Sequence, residues 1–195
     1  MKGMKVGLFF GTFNPIHVGH LMIGNYMVEF SDLEEVWYVI TPLSPFKQKS
    51  SLLSNHHRLA LVNVAVEEYP KLKSSTVEFQ MPQPNYTINA LVQLEEDYPQ
   101  HSFYLIMGED NLKSFHKWKN SETILENYEL YVYPRVSDVV VDSGLFQHPK
   151  IHKIEAPIVQ ISSTFIRKAI KEKKDVRSMF PCKVWEYIDE MNFYK

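Results

Sequence analysis

The chain has 195 residues, 45% of them hydrophobic and 23% charged, with a formal net charge of -2. A chain of this length buries a core without metal or disulfide staples, and this composition excludes a disordered protein. With no basic bias a nucleic-acid partner is not expected, although a local pocket can still be positive toward a small anion.

In chain order, Lys5–Phe10 reads as a buried strand. Its apolar part, Val6–Phe10, is too short for a signal-peptide core, and no apolar run in the chain nears membrane-spanning length. A cytoplasmic location with no membrane partner is the default expectation. A turn, Gly11–Pro15, leads to a helix over Val18–Phe30, then to a strand at Glu35–Ile40 and a loop over Thr41–Ser54. Helical spacing of Leu59, Val62 and Val66 predicts a helix over Asn55–Glu68. A short strand is expected at Thr76–Phe79, and a Pro-punctuated loop at Met81–Asn85. The helix Thr87–Asp97 should turn Ile88, Leu91 and Val92 to one side. Phe103–Met107 reads as a strand, Asp110–His116 and Ser121–Asn127 as short helices, and Glu129–Tyr133 as a strand. His148–Ile154 leads to a last strand, and two helices close the chain at Ser163–Lys173 and Pro181–Met191. The second of these holds Cys182, the one cysteine, so no internal disulfide forms and a reducing compartment fits. Apolar strands alternating with helices predict an α/β domain with a parallel sheet covered on both faces. No linker divides it, so residues 1–195 are expected to form one domain, with 160–195 as its helical C-terminal part.

Two stretches carry chemistry. The first follows the first strand: Gly11-Thr12-Phe13-Asn14-Pro15-Ile16-His17-Val18-Gly19-His20. In a doubly wound sheet, ligands gather where strands end near the switch point, and this turn ends the first strand. Its amides can face an anion, and the helix after it presents a positive N-terminus. His17 and His20, three residues apart, share a helix face and can donate to phosphoryl oxygens. No carboxylate or cysteine lies near enough in sequence to complete a metal site. The second stretch is Ile161-Ser162-Ser163-Thr164-Phe165-Ile166-Arg167-Lys168. Its hydroxyl residues suit a helix start, and Arg167, one turn on, can fork onto phosphate held there.

Gly11–His20 resembles the GTFDPIHxGH signature of the bacterial nicotinate-nucleotide adenylyltransferases, whose HxGH element marks a wider nucleotidyltransferase superfamily. Asn14 stands where aspartate is usual, and Phe10 where a second glycine is usual. Ile161–Arg167 looks like the ISSTxIR element with which that superfamily grips ATP phosphates. Tyr104–Trp118 resembles the GAD-x-L…W segment, with Glu109 in place of alanine. Ser44–Lys47 is similar to PPHK, with Phe46 in place of histidine, and Pro84–Thr87 is similar to PSYT. The resemblance runs from Val6 to Ile188.

It implies a Rossmann-like, doubly wound sheet and transfer of the adenylyl group of ATP to nicotinate mononucleotide. The catalytic candidates are His17, His20, Lys47 and Arg167. ATP would meet Gly11, Thr12, Phe13, His20, Gly108 and Asp110 on one side, and Ile161, Ser162, Ser163, Thr164 and Arg167 on the other. The acceptor would meet Asn14, Lys47, Tyr86, Thr87, Trp118 and Arg135, with Trp118 stacking on the pyridine ring. Mg²⁺ would come with ATP, held mostly by substrate and water. A homo-oligomer is compatible with all of this. Between Met81 and Ala90 there is no Asp or Glu, while Thr87 and backbone amides donate, which favours the acid over the amide as acceptor. Nicotinamide mononucleotide, pantetheine phosphate or a cytidylyl transfer remain as alternatives. So does a nucleotide-binding module without turnover, against which the intact His17, His20 and Arg167 speak.

Overall fold

A computed structural model describes residues 3–43, 52–135 and 144–195. Six strands form one sheet: β1 (Lys5–Gly11), β2 (Glu35–Ile40), β3 (Leu72–Ser75), β4 (Ser102–Gly108), β5 (Glu129–Tyr133) and β6 (Ile151–Lys153). Every pairing is parallel, and the order is β3-β2-β1-β4-β5-β6. The chain winds one way from β1 to β3, then crosses back to β4 on the other side of β1. The C-terminal ends of β1 and β4 therefore flank the switch-point crevice of a Rossmann-like α/β fold.

Alternation along the strands divides the core. Val6 and Leu8 of β1 point to one face with Trp37, Val39, Leu105 and Val132. Helices α3 (Thr87–Asp97), α4 (Glu109–Lys113) and α5 (Ser121–Asn127) cover that face. Phe9, Tyr38, Ile40 and Ile106 point the other way, under α1 (Val18–Phe30), α2 (Asn55–Val66), α6 (Ser163–Lys171) and α7 (Cys182–Glu190). Val184 and Ile188 of α7 join Leu61 and Val62 of α2 in that cluster, so the helical C-terminal part packs into the same core. No helix among the described residues is long and apolar enough to cross a membrane.

Two expectations are corrected. Thr76–Phe79 is not a strand: Val77–Gln80 forms a 3₁₀ turn, and the strand lies earlier, at Leu72–Ser75. The Val-Glu-Phe alternation looks extended, but pairing with β2 is what makes a strand, and that pairing falls on Leu72-Lys73-Ser74-Ser75. In α3, Val92 is 46% exposed, and Leu94 fills the buried position with Ile88 and Leu91.

Candidate active site

The turn after β1 is built around a ring. Phe13 takes a φ of 43°, left-handed, and its side chain is 2% exposed. A Cβ at Gly11 would stand 2.9 Å from that ring, so only glycine lets Phe13 fold back over the end of β1. The His20 ring lies edge-on to Phe13, centroids 5.1 Å apart, and stacks on His17 at 3.8 Å. The His17 N–H donates to His20 Nδ1 at 3.3 Å. That bond places the His20 ring proton on Nε2, the nitrogen able to donate to a phosphoryl oxygen.

His17 behaves differently. It is 3% exposed, burial and then Arg135 push its pKa down to about 3, and its Nδ1 has no partner among the described residues. It is a neutral ring at any ordinary pH. Gly19 makes room for it: a Cβ there would stand 3.0 Å from His17 Nδ1 and from a Val159 methyl. The space at Gly19 is therefore filled by the protein's own side chains.

The second motif closes onto this turn. Ser162 is the N-cap of α6 and accepts from the Phe165 N–H at 3.2 Å. The Ser163 hydroxyl donates to the Pro15 carbonyl at 2.9 Å. Arg167 donates through one terminal nitrogen to the Asn14 carbonyl at 2.8 Å, and through the other to Thr164 Oγ1 at 3.4 Å. The Ser163 and Thr164 amides precede the first intrahelical bond and belong to the helix end that lines one cavity with the histidines. Arg167 is thus part of the turn's scaffold as well as a cation beside it. Arg167→Ala is expected to raise KM for ATP roughly 10–100-fold, the worth of a charge-assisted hydrogen bond, and to leave KM for the acceptor nearly unchanged. Equal increases for both substrates in steady-state kinetics would mark a general structural defect instead.

Two cavities adjoin at the end of β1, and Phe9, Phe10, Gly11, Thr12 and Asn111 line both. One, about 340 Å³, is lined by the β1 turn with His17 and His20, and by Ile161–Thr164 with Arg167. Asp110 and Arg135 also line it, 4.0 Å apart. The other, about 310 Å³, is lined by Tyr86, Thr87 and Trp118. Asn14 and Arg135, expected on the acceptor side, thus line the cavity that also holds the histidines and the start of α6. The Asn14 side chain is occupied: its Oδ1 accepts from the Leu53 N–H at 3.1 Å and the Tyr194 hydroxyl at 2.7 Å. Gly108 caps α4 behind Asp110, among the lining residues of neither cavity. Lys47 lies outside the described residues.

Sequence reasoning gave no role to several groups here. Lys117 and Lys119 line the second cavity, Lys119 Nζ lying 4.5 Å from the Tyr86 ring centroid. Glu78 and Asn85 line it too, both buried. Arg58, in the first turn of α2, is fully buried and donates five hydrogen bonds. Its acceptors are the carbonyls of Thr12, Thr41, Pro42 and Leu53 and the Asn55 side chain, so it ties the turn after β1 to the end of β2 and the start of α2. Burial pushes its pKa down to about 10, which leaves it charged at neutral pH.

A switch-point crevice lined by a helix start, hydroxyls, an arginine and a donor histidine is the arrangement expected of a nucleotidyltransferase. A family model described as cytidylyltransferase-like matches residues 8–169. A protein of Christiangramia forsetii named "Probable nicotinate-nucleotide adenylyltransferase" is 63% identical over 98% of each chain. One of the same name from Flavobacterium psychrophilum is 59% identical over 98% of this chain and 100% of that one. Among solved structures, a Plasmodium falciparum nicotinic acid mononucleotide adenylyltransferase complexed with NaAD has a TM-score of 0.82, at 21% identity over 98% of this chain and 97% of that one, a likeness of fold. The chain belongs to the nicotinate-nucleotide adenylyltransferase family, within the cytidylyltransferase-like nucleotidyltransferases.

Proposed function

We propose that the 340 Å³ cavity holds ATP and the 310 Å³ cavity holds nicotinate mononucleotide. The observation that carries this arrangement is the shared wall at the end of β1, which brings two ligands together beside His20. The acceptor's phosphate is an anion near neutral pH and needs no general base. Its oxygen attacks the α-phosphorus in line, the bond to the bridging oxygen of the β-phosphate breaks, and pyrophosphate leaves as nicotinate adenine dinucleotide forms. Catalysis is then positioning plus neutralisation of charge on the transferring group. His20 Nε2, Arg167 and the α6 amides supply donors, and Lys47 is assigned the same role from the resemblance. Trp118 offers a face to the cationic pyridinium ring.

Among the described residues no group of three or more His, Cys, Asp or Glu side chains is placed to hold a metal ion. Among the described residues, donors and a single carboxylate, Asp110, line the ATP cavity, a set that suits an anion and fits Mg²⁺ arriving chelated by ATP. Bound in that way, Mg²⁺ would neutralise charge on the departing pyrophosphate.

Pyrophosphate release with ATP, Mg²⁺ and a panel of acceptors tests the assignment. Lys117 and Lys119 attract a carboxylate, and their positive charge is set against Glu78, a carboxyl in the same cavity that the Met81–Ala90 stretch did not include. The expected kcat/KM for nicotinate mononucleotide exceeds that for nicotinamide mononucleotide by at least roughly 10², below the 10⁴ or more of a fully enclosed discriminating pocket. A ratio near unity would show that the lysines do not read the pyridine substituent.

A further inference from the structure

The acceptor cavity has a polar floor to which the mechanism above gives no task. Glu78, in the 3₁₀ turn after β3, is 2% exposed, and Asn85, just before α3, is 4% exposed. Both line the cavity. The Thr41 hydroxyl hydrogen-bonds the Glu78 carboxyl, yet Glu78 Oε2 has no partner among the described residues. Asn85 Nδ2 donates to the Glu78 backbone carbonyl at 3.0 Å. A carbonyl only accepts, so that bond fixes the amide's orientation and leaves Asn85 Oδ1, which also has no partner. Buried oxygens in folded proteins are almost always paired, and an exception needs a reason. Here two exceptions adjoin one another and one cavity. The desolvation they suffer shows in the acidity of Glu78, pushed up to about 7 by burial against the lowering effect of Thr41.

Asn85 Oδ1 accepts at any pH and Glu78 Oε2 accepts whenever the carboxyl is ionised, so the floor calls for ligand donors. Nicotinate mononucleotide carries few at neutral pH: its pyridine carboxylate only accepts, and its ring nitrogen is quaternary. Its phosphate must face ATP. The two ribose hydroxyls remain. We propose that Glu78 Oε2 and Asn85 Oδ1 accept hydrogen bonds from the ribose hydroxyls of the acceptor, and so select a ribosyl mononucleotide over a deoxyribosyl one. The inference rests on the acceptor assignment made above. Its logic is that of any buried polar pocket: the right hydroxyl satisfies it, and a substrate without that hydroxyl leaves it unpaired.

The test crosses protein variants with acceptor variants. Wild type, Glu78→Gln and Asn85→Leu are each assayed for pyrophosphate release with nicotinate mononucleotide and with its 2′,3′-dideoxy analogue. Wild type is expected to lose roughly 10–100-fold in kcat/KM on the dideoxy acceptor, the range for hydrogen bonds to a charged group. Each variant is expected to lose activity on the natural acceptor but to lose far less than wild type on going to the dideoxy one, with KM for ATP unchanged. Losses that multiply independently across protein and acceptor overturn the proposal and leave the adenylyl transfer intact. So does a Glu78→Gln variant whose acid-to-amide preference shifts while its sensitivity to the hydroxyls persists, because the floor then reads the pyridine substituent. If wild type releases no pyrophosphate with nicotinate mononucleotide, the acceptor assignment itself fails, and this proposal fails with it. Two variants guard against misfolding, and an unchanged KM for ATP reports an intact β1 turn in each.

Discussion

His20→Ala is expected to lower kcat by roughly 10²–10³ while the protein stays folded. The argument begins with the backbone. Phe13 folds over Gly11, and His20 is held between the Phe13 edge and the His17 face. With Nδ1 accepting from the His17 N–H, the donor Nε2–H is fixed in tautomer and direction before any ligand arrives. A donor oriented in advance costs no reorganisation as charge builds on the transferring phosphoryl group, and removing one such donor accounts for the expected loss. The ring is partly exposed and gives up little buried area, so the melting temperature should move little. Single-turnover or steady-state kinetics beside thermal unfolding decide it. A variant that keeps more than about half of wild-type activity would remove His20 from the chemistry, since a phosphoryl-facing donor is worth far more than a factor of two.

The largest effect on stability is expected at Arg58. Arg58→Met keeps much of the volume and removes every donor, stranding the carbonyls of Thr12, Thr41, Pro42 and Leu53. Breaking a buried charged network of this kind costs about 3–5 kcal/mol. In a chain of this size that is a drop in Tm of roughly 6–20 °C. Arg58→Lys should recover only part of it, since an ammonium cannot span acceptors arranged for a planar fork. Activity should fall too, because Thr12 belongs to the catalytic turn. A Tm within about 2 °C of wild type would mean that those carbonyls find other donors.

Much of this was legible in the sequence because the signals were local. Val18–Phe30, Thr87–Asp97 and Ser121–Asn127 run as helices over the spans their apolar spacing and flanking residues imply. The turn with its histidines and the Ser162–Arg167 helix start are each contiguous, and the fold lays them along one cavity. What escaped depends on distant partners. Glu78 falls in the stretch expected to be a strand, and a 3₁₀ turn against Thr41 is what buries it. Arg58 looks like an ordinary charge at a helix start until the turn after β1 and the end of β2 converge on it. Tyr194 holds Asn14 across 180 residues, a pairing no spacing rule reaches. Asn14, where the signature it resembles has aspartate, supplies from its amide oxygen the acceptor that both Tyr194 and Leu53 use.

The staple between α6 and the first turn also bears on how the molecule comes into being. Ser163 meets Pro15 across 148 residues and Arg167 meets Asn14 across 153, so each bond closes a loop spanning most of the chain. Loops of that length are closed late, after nearer contacts have offset their own entropy, and during synthesis the turn emerges long before its clasp. A half-made or partly unfolded chain can therefore assemble the sheet from β1 to β5 and still have no grip on a triphosphate. On the proposed assignment of the cavity to ATP, the capacity to consume ATP arrives with the docking of α6, late in folding, and a molecule that lacks that clasp is inert toward the nucleotide.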